Sequence, residues 1–171
     1  KNLVITNDGS GDGVTATVNI GCENKIDRLA TISQYNSMGY FYTAVTKFLG
    51  MKPISHEYKV MGLAAYAKKE YGLKTYGLIK DWFRVNKNKP LEFENKSGYW
   101  GWQFLDAFNK IFSAKHRFDN IAWAAQNLIE EVQTEWIKSI IKETGLKNVV
   151  LSGGVFMNVK ANHKILSIDE I

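Results

Sequence analysis

The chain has 171 residues, enough for one domain with a core of its own, and its 45% hydrophobic, 13% aromatic and 23% charged residues exclude a disordered, collagen-like or low-complexity protein. The 22 Lys and Arg against 17 Asp and Glu leave a net charge of +5 spread along the chain, which suits an anionic ligand and does not predict a nucleic-acid partner. No apolar run reaches the ~18 residues of a membrane span, and Lys1-Asn2-Leu3-Val4-Ile5 runs into strand-like sequence without Met or leader, so a cytoplasmic excerpt of a longer protein is expected.

Leu3 to Thr6 is a short run with β-branched residues, and Asn7-Asp8-Gly9-Ser10-Gly11-Asp12-Gly13 is a dense turn signal, which predicts strand then loop. Val14 to Ile20 alternates apolar and polar residues as a strand buried on one face does, and Ile26 to Ile32 repeats the pattern more weakly. An antiparallel meander is expected. Met38, Tyr42, Val45, Phe48 and Leu49 then recur at helical spacing until Gly50 and Pro53, giving a helix over that meander. Between Met51 and Lys115 glycines interrupt every pattern; short helices are expected near Leu78–Val85 and Trp100–Phe112, with an exposed loop over Asn86–Lys96. Asp119 is placed to cap a long helix in which Ile121, Ala125, Leu128, Val132, Trp136 and Ile140 share a face, ending at Thr144-Gly145. Asn148 to Leu151 reads as a short buried strand, Ser152-Gly153-Gly154 as a turn, and a helix follows from about Met157; Ser167 to Ile171 is where a further strand would start. The plan is α/β, a mixed sheet with covering helices.

The single Cys22 has no internal disulfide partner, and His56, His116 and His163 lie too far apart for a short metal motif, so any metal must lean on carboxylates or on residues outside the chain. Around Asp8-Gly9-Ser10-Gly11, backbone amides can converge on an anion while Asp8 holds a divalent cation or orients a water. An Asp-Gly turn is equally a plain hairpin connection. Ser152-Gly153-Gly154-Val155 lies at a strand-to-helix turn, where open α/β sheets bind ligands, although two glycines can also serve close packing alone. Asn158 and Asn162 sit four apart on the helix that follows, and Asn158 is near enough its start to bond a sugar hydroxyl or base. Within Ser55 to Tyr66, Glu57 and Lys59 either pair or orient an acceptor hydroxyl and an anionic group; the plainer reading is a surface loop entering a short helix.

Taken together, four runs resemble the carbamoyltransferase family that includes the nodulation and antibiotic O-carbamoyltransferases. They are Asn7-Asp8-Gly9-Ser10-Gly11, Gly39-Tyr40-Phe41-Tyr42-Thr43, Glu57-Tyr58-Lys59-Val60-Met61-Gly62-Leu63-Ala64-Ala65-Tyr66, and Gly153-Gly154-Val155-Phe156-Met157-Asn158 through Ala161-Asn162, in family order over nearly the whole chain. The resemblance implies an actin-like ATPase (ribonuclease H-like) half-domain, with residues 1–171 forming the central to C-terminal portion of the carbamoyl-transfer domain. In that family a separate adenylate-forming domain, absent here, makes carbamoyl adenylate from carbamoyl phosphate and ATP, and the actin-like domain passes the carbamoyl group to a substrate hydroxyl.

By position, the resemblance makes Asp8 a ligand of a divalent metal, Fe or Mg, and puts Gly39, Gly153, Gly154 and Val155 in the nucleotide pocket with Asn158 on the adenosine. Glu57 and Lys59 carry over as candidate catalytic residues with no role assigned. The family's His-x-x-x-His metal motif and its downstream Asp are missing, so one wall of a transfer site is expected here and not a working enzyme. The implied partners are carbamoyl phosphate and a small-molecule hydroxyl acceptor, and a homodimer stays open. Two rivals also stay open. A sugar kinase-like or tRNA-threonylcarbamoyl transferase-like relative would lack the Glu57 to Tyr66 run; a non-catalytic binding or scaffold module would show no nucleotide pocket and an exposed apolar patch around Tyr99, Trp100 and Trp102.

Overall fold

In the computed structural model, which describes residues 1–112 and 115–171, the meander is present as β1 (Asn2–Gly11), β2 (Val14–Cys22) and β3 (Lys25–Ser33). β6 (Val149–Ser152) adds in parallel to the free side of β1, giving a mixed sheet of order β3-β2-β1-β6 with Leu3 opposite Val149 and Thr6 opposite Ser152; it is an edge strand and not the buried one expected, with Val149 and Leu151 half-buried and Val150 exposed. Leu3 and Ile5 of β1 and Ala16 and Val18 of β2 face the apolar core, but β2 is not the one-face strand expected, because Thr15, Thr17 and Asn19 on its other face are buried as well. In β3, an outer strand, only Ile32 is fully buried and Ala30 packs partly against the core.

α1 (Met38–Phe48) lies against β1 and buries Met38, Phe41, Ala44 and Val45, with the Phe41 ring against Phe83, Phe104 and Phe108. α5 (Phe118–Thr144) is the long central helix, ending where Gly145 takes a left-handed φ of 69° and returns its N–H to the Ile141 carbonyl at 2.8 Å. Its cap differs from the expected one. Asp119 lies in the first turn behind Arg117, whose guanidinium grips the carboxylate at 3.0 and 3.1 Å and holds its pKa below the usual carboxylate range. No helix among the described residues is long and apolar enough to cross a membrane.

The glycine-rich middle departs most from expectation. Leu78–Val85 is not a helix; the helix is α3 (Lys69–Tyr76), and Phe83–Val85 is strand β4. Gly72, read as a breaker, sits inside α3 because a Cβ there would fall 2.6 Å from the Trp123 ring of α5. The expected loop 86–96 is a hairpin arm, since β5 (Phe93–Asn95) pairs with β4 and plants buried Phe93 edge-on to Trp136 at 4.9 Å. The helix sought at Trp100–Phe112 is α4 (Gln103–Ile111). The final helix is α6 (Val159–Leu166), preceded by a 3-10 turn over Gly154–Met157, and 167–171 is turn instead of strand.

Candidate active site

The Asp8 segment lies inside β1 and not between strands, but the β1–β2 register breaks between Asn7 and Gly11, so Asp8, Gly9 and Ser10 bulge out of the ladder. The bulge is fixed from behind. The Thr15 hydroxyl donates to the Asp8 carbonyl at 2.6 Å and the Ser37 hydroxyl donates to the Gly9 carbonyl at 2.6 Å, which ties two acceptor oxygens into the protein. Ser37 also caps α1, accepting from Tyr40 N–H at 3.0 Å, so one hydroxyl aims a helix N-terminus at the bulge. Gly39 permits that approach: a Cβ there would lie 2.8 Å from Gly9 Cα. Asp8 is exposed and its Oδ1 accepts from Gly9 N–H at 2.7 Å.

β6 delivers the second glycine turn to the same place. Gly153 has φ 105° and its missing Cβ would run into the Asn7 backbone, 2.8 Å from the carbonyl carbon, while a Cβ on Gly154 would lie 3.0 Å from Asp8 Oδ1. Gly153 is therefore a packing residue, whereas Gly154, Val155 and Asn158 join Asp8, Gly9, Gly39 and Glu57 around one cavity of about 1040 Å³.

Asn158 is more than a wall residue. It caps α6 by accepting from Ala161 N–H at 3.1 Å, and because a backbone N–H only donates, this fixes which end of the amide carries Oδ1. Gln126 of α5 then pairs with it on both ends, Nε2 donating to Asn158 Oδ1 at 2.9 Å and Oε1 accepting from Asn158 Nδ2 at 3.0 Å. The Tyr42 hydroxyl donates to the same Gln126 Oε1 at 2.6 Å, and Gln126 Nε2 donates to Glu130, itself paired with Lys164 at 3.0 Å. Burial, with the Glu130 and Glu57 carboxylates nearby, pushes the Tyr42 pKa well above an ordinary phenol, so its proton stays on the bond to Gln126. Sequence reasoning missed Gln126 and took Tyr42 as an apolar helix position. Asn162, paired with Asn158 in the sequence reading, instead donates to the Phe156 carbonyl at 2.6 Å and closes the 3-10 turn.

The Glu57 and Lys59 pairing does not form. Both lie on α2 (Glu57–Leu63), and residues two apart on a helix point to different sides. Glu57 faces the cavity, its Oε1 held by Ile54 N–H at 2.7 Å and the Thr43 hydroxyl at 3.1 Å. Lys59 points away, its amine 3.3 Å from His56 Nε2. Among the described residues no group of three His, Cys, Asp or Glu side chains is placed to hold a metal ion, so Asp8 alone does not make a metal site. Trp100 and Trp102 are exposed as the scaffold reading expects, but Tyr99 is half-buried against the core and both tryptophans line the cavity.

A family model described as Carbamoyltransferase N-terminus matches residues 1–170. The chain belongs to this carbamoyltransferase family. It is 33% identical to the uncharacterized protein MJ1051 of Methanocaldococcus jannaschii over 95% of the chain and 32% of that protein. It is 28% identical to nodulation protein NolO of Bradyrhizobium diazoefficiens over 97% of the chain and 30% of that protein, and 25% identical to nodulation protein NolNO of Sinorhizobium fredii over 97% and 24%. The chain thus spans about a third or less of the length of these curated relatives. Family membership agrees with the resemblance carried by the Glu57 to Tyr66 run.

Proposed function

We propose that this carbamoyltransferase-family chain contributes a wall of the site where a carbamoyl group passes from carbamoyl adenylate to a substrate hydroxyl, on an actin-like ATPase scaffold. The observation that carries this reading is the convergence of Asp8, Gly39, Glu57, Gly154, Val155 and Asn158 on one cavity. The transfer forms a bond between the acceptor oxygen and the carbamoyl carbon and breaks the bond from that carbon to the phosphate oxygen; the electron pair leaves with AMP and the hydroxyl proton goes to a base. Binding both reactants against one wall supplies proximity, which turns a bimolecular step into an effectively unimolecular one.

In this reading the bulge and the α1 N-terminus receive the phosphate, since the bulge carbonyls are tied behind it and the helix end favours negative charge. Gly154, Val155 and Asn158 flank the nucleoside. Glu57, held at Oε1 by two donors, orients the acceptor hydroxyl. Lys59 has no place in the step, and Asp8 serves a cation only if further ligands come from outside this chain. Asp8→Asn in the whole protein is expected to abolish transfer while sparing carbamoyl-adenylate formation, and the chain is expected to bind ATP and AMP by calorimetry. Normal transfer by the variant removes Asp8 from the mechanism.

A further inference from the structure

The topology separates the cavity into two flanks. β6 ends the sheet on one side, and the turn after it carries Gly154, Val155 and Asn158. β3 ends it on the other, and the turn after it, Gln34–Asn36, holds the segment 95–102 in place. Asn95 N–H donates to Asn36 Oδ1 at 2.9 Å, Asn95 Nδ2 donates to the Tyr35 carbonyl at 3.1 Å, and Trp100 meets Tyr35 edge-on at 4.9 Å. The bulge and the α1 N-terminus belong to the middle of this arrangement, because β1 lies between β6 and β2. Gly101, with a left-handed φ of 54°, turns the chain so that Trp100 and Trp102 on either side of it both line the cavity. They keep 40% and 55% of their surface exposed, so part of each indole stays open where it borders the cavity.

We infer that the Trp100-Gly101-Trp102 corner is the acceptor subsite, a stacking surface for a hydroxyl-bearing ring with a flat C–H or π face. The inference rests on the carbamoyl-transfer reading. With the nucleotide on the β6 flank and the phosphate at the bulge, the group being transferred lies between the flanks, and the oxygen that attacks it must come from the β3 side. A cavity of about 1040 Å³ has room for both reactants. Indole faces bind such rings through dispersion and the ring quadrupole, and the energy resides in the aromatic face, so Phe substitutes for Trp better than Ala does.

The test titrates the chain with phenyl β-glucoside, an uncharged ring carrying hydroxyls, and in parallel with AMP, by calorimetry or saturation-transfer NMR. Trp102→Ala is expected to weaken the glucoside roughly tenfold and Trp102→Phe less than about threefold, with AMP unchanged in both and melting temperatures matched to the parent. The subsite is overturned if the parent chain does not bind the glucoside, if Trp102→Ala binds it as well as the parent, or if AMP is the ligand that weakens. Failure of the nucleotide reading shows elsewhere, as AMP binding indifferent to Asn158→Ala, while the glucoside response to Trp102 is unaffected.

Discussion

The two flanks of the cavity are built on different principles. The β6 flank is made of backbone: Gly153 packs where a methyl does not fit, and Asn158 and Gln126 spend their hydrogen bonds largely on each other and on nearby helix atoms. The β3 flank is made of side chains, two partly exposed indoles of which Trp100 is held edge-on by Tyr35 of the turn. Geometry set by main-chain contact tolerates almost no substitution, whereas a surface set by exposed side chains can change shape without disturbing the fold. A carbamoyltransferase that keeps its nucleotide and changes its acceptor would be served by this division.

Gly153→Ala probes the rigid side with the largest expected effect. Alanine at φ 105° is strained, and its Cβ would meet the Asn7 backbone. Together these are expected to destabilise the chain by about 3 kcal/mol or more, read as a drop in the denaturant midpoint. A loss under 1 kcal/mol would mean that β1 and the β6 turn can separate cheaply, and the contrast between the flanks would fail. Asn158→Ala comes next. It removes the α6 cap and both bonds to Gln126, leaving the buried amide short of partners, with an expected cost of about 2 kcal/mol. Asn158→Asp keeps an acceptor for Ala161 N–H and is expected to recover about half of that loss. Equal costs for the two variants would assign the whole effect to the amide pairing and none to the cap.

Much of this site was visible in the sequence, and the reasons for the rest are physical. Asp8, Gly154, Val155 and Asn158 were found because glycines beside a strand end or helix start are dense local signals, Gly39 came only from the family resemblance, and β6 was found because Val149 and Val150 make a short β-branched run. The hairpin of Phe83–Val85 with Phe93–Asn95 was missed because three-residue strands are too short to show alternation. Gly72 misled for another reason: its role is set by Trp123, a neighbour in space that no local pattern reveals. Gln126 did leave a signal. It is a polar residue between buried Ala122 and Ile129 on the helix face, and a buried amide there needs partners. Lys59 shows the opposite limit, since its run was recognised but helical geometry turns it away from Glu57.

The smallest expected effect bears most directly on the contrast. Trp102 is 55% exposed and stands at the start of α4 with its side chain making no capping bond, so Trp102→Ala is expected to change stability by less than about 0.5 kcal/mol. Trp136 is the control within the same molecule. It is fully buried, and its indole N–H donates to the Leu91 carbonyl at 2.8 Å, so Trp136→Ala is expected to cost about 3–5 kcal/mol. If Trp102→Ala proved as costly, Trp102 would be a structural residue, and the β3 flank would be no freer to vary than the glycine flank. A small stability change together with a tenfold loss of ring binding is the pair of results that a binding surface gives and a structural tryptophan does not, because the surface conserves its energy for the ligand instead of the fold.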